Sequence, residues 1–256
     1  MVEAVHIIRN AVAQVTAMRL ATHANAPLLA ATVAVKNFQA RRFRATYADF
    51  FLTKEYSAAA RFFLDELYSD KDFSQRDAQF ARIANALQRF FPASVVATAD
   101  AMAKLHALTE ELDLAMAEAW LACTEAATGG DSLHYTLAWQ RVGRLADRQR
   151  QLAAVLALGT ELDRLTRMPG LRLMLKMMRR PARAAGLGAL QSFLESGFDT
   201  FAAMSGNGSH ARQFLELIEA RETHWIGQLF SDDVQTTHDL LANTLASDAK
   251  ANPHTR

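Results

Sequence analysis

Along residues 28–52 the apolar positions Leu29, Val33 and Val35 lead into Phe38, Phe43, Tyr47, Phe50 and Phe51, a pattern that predicts one helix with a broad apolar face. The segment before it, Val2 to Ala24, predicts a helix that stops at Asn25-Ala26-Pro27. Thr53 is a candidate N-cap for a third helix over 54–68, in which Phe62, Phe63 and Leu67 share a face while Asp65 and Glu66 point elsewhere. Ser69-Asp70-Lys71-Asp72 reads as a loop. Ser74 then caps a fourth helix ending at Phe91, with Asp77 three residues on in a weaker form of the capping box.

Pro92 suits the first turn of a long fifth helix running to about Ala127. Thr128-Gly129-Gly130-Asp131 breaks the chain, and 132–167 predicts a sixth long helix with Gly143 and Gly159 inside it. A short basic helix over 171–180 precedes Pro181 and the Gly186-Leu187-Gly188 turn. Helices over 189–204, 209–230 and 232–246 follow. All eleven glycines lie at or after Gly129, so the first half of the chain lacks the residue that tight hairpins favour. The expected fold class is all-α: an elongated multi-helix bundle with two long central helices and shorter packing helices. One helical domain is expected over 1–246, with a point of subdivision near 128–131 and a disordered tail over 247–256.

Composition narrows the class. With 256 residues, 50% hydrophobic and 21% charged, the chain is neither disordered nor fibrous, and it is long enough to fold around its own core. Cys123 stands alone, which excludes an internal disulfide and a cysteine-cluster metal site. No targeting signal is legible, and the uncharged stretch Leu20 to Val35 falls short of a bilayer span, so a cytoplasmic location is expected.

The net charge of +1 conceals segregation. Between Glu3 and Asp49 there is no acid, only Arg9, Arg19, Lys36, Arg41, Arg42 and Arg44. Between Asp163 and Glu195 there is again no acid, and seven bases: Arg164, Arg167, Arg172, Lys176, Arg179, Arg180 and Arg183.

Ten of the fifteen phenylalanines and three of the four tyrosines fall between Phe38 and Phe91. Such crowding builds a dense aromatic core where short helices meet. Alternatively it lines a pocket for an apolar or amphipathic ligand, a fatty-acyl group or haem, through Phe50, Phe62, Phe63, Tyr68 and Phe73.

The runs Tyr47-Ala48-Asp49-Phe50-Phe51, Ala60-Arg61-Phe62-Phe63-Leu64-Asp65-Glu66-Leu67-Tyr68 and Lys71-Asp72-Phe73-Ser74-Gln75-Arg76-Asp77 resemble a family of proteobacterial all-helical proteins of unknown function. Gly188-Ala189-Leu190-Gln191-Ser192-Phe193-Leu194-Glu195 with Gly197-Phe198 resembles the C-terminal half of the same family. The resemblance spans about residues 45–230. It implies a single helical domain and carries no catalytic residue.

Candidates for chemistry are few. His106, Glu110 and Asp113 stand at i, i+4 and i+7 on one helix face, where a carboxylate could orient an imidazole for acid–base work. A metal there would need further ligands that the sequence does not identify, so no metal site is expected. Glu3-x-x-His6 and Asp131-x-x-His134 read as structural. Glu219, Arg221, Glu222, His224 and Trp225 read as a solvated charged face with Trp225 packed inward. No phosphate loop, dinucleotide fingerprint, nucleophile elbow or zincin motif is present. In the basic segment, leucines and methionines alternate with Arg172, Lys176, Arg179, Arg180 and Arg183, a pattern that suits an anionic lipid, a phosphate ligand or intramolecular pairing, and nucleic acid less well.

Three functional classes follow. The foremost is a non-enzymatic regulatory or interaction protein that binds a protein partner or itself. The second is a binder of an apolar ligand, lipid or haem in the aromatic region. The third is a helical enzyme using His106, Glu110 and Asp113.

Overall fold

The computed structural model describes residues 2–66, 73–123, 130–205 and 209–251, with side chains for all of these except 2–3, 85–90, 205 and 248–251. Every regular element among them is a helix: α1 (Val2–His23), α2 (Ala26–Thr46), α3 (Ala48–Leu52), α4 (Ser57–Glu66), α5 (Ser74–Phe90), α6 (Ala93–Ala122), α7 (Gly130–Val142), α8 (Leu145–Thr166), α9 (Leu171–Met177), α10 (Arg179–Ala184), α11 (Gly188–Ser205), α12 (His210–Leu229) and α13 (Val234–Ala251). The all-α class therefore holds.

Local chemistry sets several boundaries. Asn25 caps α2, its side-chain oxygen accepting from the Leu28 N–H at 3.2 Å, with Pro27 in the first turn. The helix expected over 28–52 stops at Thr46, and Tyr47 leaves helical geometry before the short α3 begins. Thr53 is not an N-cap; its hydroxyl donates back to the Asp49 carbonyl at 2.7 Å and so closes α3. Of the two long helices expected, α6 is 30 residues, but the second is divided into α7 and α8. Gly143 lies between them at φ +63°, a left-handed conformation that ends a helix and that a Cβ resists. The basic helix is divided too. Pro181 has no N–H for the Met177 carbonyl, and the chain steps from α9 to α10 at Met178. The turn after α10 is a Schellman arrangement: Gly186 at φ +70° donates to the Arg183 carbonyl at 3.0 Å and Leu187 to that of Ala182 at 2.8 Å.

The chain divides into two compact units, each assembled from three stretches. The first holds 1–18, 71–110 and 153–217; the second holds 19–70, 111–152 and 218–256. In the first, Val5, Ile8 and Val15 of α1 pack on Ala84 of α5 and on Ala99, Ala103 and Ala107 of α6, where small side chains let the helices lie close. A second cluster joins Leu165, Leu171 and Phe198, the last on α11.

In the second unit the core is strongly aromatic. Val35 and Phe38 of α2 meet Met116 of α6, Tyr135 and Trp139 of α7, Trp225 and Leu229 of α12 and Leu241 of α13. Phe38 stacks on Tyr135 with ring centroids 4.3 Å apart. Burying each such side chain contributes roughly 1.5–3 kcal/mol. Much of this core comes from outside the 38–91 aromatic block, including the buried tryptophans Trp139 of α7 and Trp225 of α12.

Gly143 and Gly227 respond to the same substitution with opposite signs. Gly143→Ala forces a side chain into the left-handed region and is expected to lose about 1 kcal/mol. Gly227→Ala, on an exposed turn inside α12 with open space around it, is expected to gain about 0.5–1 kcal/mol. Urea denaturation of the full chain measures both, and a gain at Gly143 would contradict the turn.

Candidate functional site

The second unit buries a connected set of polar side chains where α2 ends. The Glu222 carboxylate accepts from Arg42 Nη1 at 3.2 Å, from Arg42 Nη2 at 2.8 Å and from the Tyr47 hydroxyl at 2.9 Å. The Arg42 side chain is 7% exposed and that of Glu222 14%, so the pair is largely dry. The Arg42 guanidinium also faces the Trp225 ring at 5.9 Å, and Trp225 Nε1 donates to Thr46 Oγ1 at 3.0 Å.

Arg221 completes the arrangement from the neighbouring position on α12. It donates to the Thr46 carbonyl at 2.8 Å and to both oxygens of Asp49 at 2.7 Å. The first contact satisfies a carbonyl at the helix end, where no intrahelical N–H remains, and brings a cation to the negative end of the α2 dipole. The same guanidinium lies over Phe50 at 4.8 Å and Tyr47 at 5.3 Å. The hydrogen bond from Arg221 holds the Asp49 carboxyl below its ordinary range, against the opposing effect of burial. Arg221 and Glu222 are therefore not a solvated face; they clamp α12 to the α2–α3 corner. Trp225 packs inward as its sequence context predicts.

Deeper in this unit, Gln39 donates to Asp113 at 3.0 Å. Burial pushes the Tyr135 phenol up, although the charges of Arg42 and Arg148 pull it the other way. A phenol so placed keeps its proton. Arg148 stacks on Trp139 at 4.1 Å and donates to Gln151 at 3.1 Å.

In the first unit, His106 Nε2 lies 2.9 Å from Asp77 Oδ2, joining α6 to α5. Arg76 sits 3.7 Å from the other oxygen of Asp77, and its guanidinium lies over Phe73 at 4.0 Å and over Phe193 at 4.5 Å. Gln79 accepts from the Leu190 N–H at 2.9 Å, satisfying a donor in the first turn of α11.

The residues singled out from sequence distribute as follows. His106 pairs with Asp77 and Asp113 with Gln39, so the helical spacing of His106, Glu110 and Asp113 does not gather them on a common atom. Among the described residues no three His, Cys, Asp or Glu side chains converge as a metal ion would require. Phe50 and Phe63 are buried and Phe62 half-buried in one train of rings: Phe43 to Tyr47 at 4.6 Å, Tyr47 to Phe50 at 5.1 Å, Phe43 to Phe63 at 6.4 Å and Phe62 to Phe63 at 6.4 Å. These rings contact one another in sequence along the train. Phe73 belongs to the other unit, against Arg76, and Tyr68 lies outside the described residues. His134 stacks on Trp120 at 3.7 Å and contacts its carbonyl at 2.8 Å, a structural placement. Cys123, half-buried, follows the last residue of α6.

The basic segment is partly neutralised from within. Arg172 pairs with Asp199 at 2.8 Å, and Arg179 reaches both oxygens of Glu195 at 2.8 and 2.7 Å. The Arg179 hydrogen bond holds the Glu195 carboxyl below its ordinary range. Gln191 fixes this corner by donating to the Leu175 carbonyl and to Glu195, both at 2.7 Å. Arg164 and Arg167 pair with Glu161 and Asp163 on their own helix. Lys176, Arg180 and Arg183 are exposed and form no ion pair among the described residues. Beside them Leu173 is 62% and Met177 64% exposed.

Sequence reading missed the clamp because its halves lie about 180 residues apart. The signal was nevertheless present: an acid-free stretch from Glu3 to Asp49 obliges Arg42 to find its counter-ion far along the chain.

Fold and geometry together define an all-helical protein whose buried polar groups join helices. The chain belongs to the family described as Domain of unknown function (DUF8198), whose profile matches residues 19–236. No curated protein and no solved structure matches it.

Two predictions follow from the clamp. Glu222→Gln strands a buried guanidinium and is expected to lose about 3 kcal/mol, while the double variant Arg42→Met/Glu222→Leu recovers at least about half of that. Thermal and urea unfolding of the three proteins measures this, and equal losses would contradict the buried pair. The second concerns pH. Asp49 has a folded pKa below its unfolded one, so its contribution is present above about pH 4 and is lost as pH falls through the folded value. The stability gap between the native chain and Arg221→Gln should narrow on acidification by the Asp49 share, under about 1 kcal/mol for so exposed a carboxylate, leaving the part due to Thr46 and the rings. A gap independent of pH would contradict it.

Proposed function

We propose that this protein is a non-enzymatic helical interaction protein that meets its partner through the face of α9 and α10. The observation that carries this reading is the exposure of Leu173 and Met177 near three exposed cations, Lys176, Arg180 and Arg183, that form no ion pair among the described residues. Elsewhere the conspicuous charges are engaged inside the chain: Arg42 with Glu222, Arg221 with Asp49, His106 with Asp77. Such groups hold helices in place, and their arrangement supplies no exposed acid–base pair for substrate. The aromatic block supports the same reading, since its rings are spent on one another.

Site-specific photo-crosslinking in cells tests this. A photoreactive residue at Met177 is expected to give one dominant adduct, and the same residue at Arg212, exposed on α12, none. The crosslinked chain, analysed by native mass spectrometry, should carry no stoichiometric haem or metal ion. Equal adducts from both positions, or a bound haem or metal, would overturn the proposal.

A further inference from the structure

Resting on that reading, we infer that the partner of the α9–α10 face is an anionic membrane surface, on which the segment lies flat. Lys176 stands on the last turn of α9, Arg180 and Arg183 stand one turn apart on α10, and all three are exposed. Leu173 and Met177, one turn apart, form an apolar stripe on α9, and Met178 at the step between the helices is 38% exposed. The opposite side is anchored: Leu171 and Ala182 are buried, and Arg179, Gln191 and Glu195 tie the segment to α11. The outward side thus holds its apolar and cationic groups fixed by a packed scaffold.

Charge complementarity selects the occupant. From 164 to 194 the chain carries seven bases and no acid, and four of the seven are neutralised by Glu161, Asp163, Asp199 and Glu195. The three left over sit beside the exposed apolar pair. Cations on long, exposed stems suit the diffuse negative field of a lipid headgroup layer, which asks for no fixed pairing geometry. Leucine and methionine beside them suit the acyl boundary just beneath, where an interfacial helix buries its apolar face. The segment is too short to cross a bilayer, and no described helix is long and apolar enough to do so, so the contact lies on the surface. Neither two apolar side chains nor three cations anchor a protein alone; the combination is what the surface offers.

Co-sedimentation of the full chain with vesicles is the test. Binding is expected to phosphatidylglycerol-containing vesicles and not to pure phosphatidylcholine, and should fall steeply as salt is raised. Lys176→Gln/Arg180→Gln/Arg183→Gln should weaken it about 100-fold, at about fivefold per cation. Leu173→Ser/Met177→Ser should also abolish sedimentation at low lipid. Arg9→Gln/Arg61→Gln/Arg212→Gln, which removes the same charge from exposed positions elsewhere, should bind like the native chain. Circular dichroism melts confirm that each variant folds. No binding to anionic vesicles, equal binding to neutral ones, or equal loss in the control variant overturns the inference. If anionic vesicles do not bind while Met177 still crosslinks to one acidic protein, the membrane inference falls and the interaction reading stands.

Discussion

The buried ion pair between Arg42 and Glu222 is the constraint on which the second unit turns. Taking a guanidinium and a carboxylate out of water is costly, and each is tolerated only because the other is present with good geometry. Tyr47 fills another acceptor position on Glu222, and Arg221 occupies the carbonyl that α2 leaves open at Thr46. α12 is thereby set against the α2–α3 corner at one register, since a shift of one residue would bury each charge unpaired. A purely apolar contact here would bind as well and specify less. We regard this pair as a device for specificity more than for stability.

The same logic recurs on a smaller scale in the first unit. His106 and Asp77 join α6 to α5, Gln79 closes the start of α11, and Arg76 is held between two phenylalanine rings. In each case a polar group that could serve chemistry instead meets an orphan donor, an opposite charge or a π-face. What remains outward on α9 and α10 is different in kind: Lys176, Arg180 and Arg183, exposed and outside any ion pair among the described residues, near the exposed side chains of Leu173 and Met177. The proposed function rests on that contrast between charges used inside and charges left outside.

The all-helical class was legible because glycine is absent from the first half and helix formers dominate it. Asn25 and Pro27 marked a boundary correctly for the same local reason. Gly143 was visible as a residue but not as a break, because glycine inside a helix is tolerated and only the backbone reveals the left-handed turn, and the end expected just before Pro181 falls earlier, at Met178, with Pro181 inside α10. His106 was picked out on helical periodicity, yet its partner proved to be Asp77, 29 residues away on another helix. Periodicity reports which residues share a face and is silent about what that face meets. The charge segregation of the two acid-free stretches was the stronger guide, since it required long-range pairing for Arg42 and Arg41 and left surplus cations on α9 and α10.

Hydrogen–deuterium exchange of the full chain, with and without phosphatidylglycerol vesicles, tests this division most directly. Slow exchange over 40–46 and 218–226 that vesicles leave unchanged, with new protection confined to 171–184, is the predicted result. Fast exchange at the clamp without vesicles, or vesicle-induced protection in the aromatic block and none over 171–184, would contradict the account.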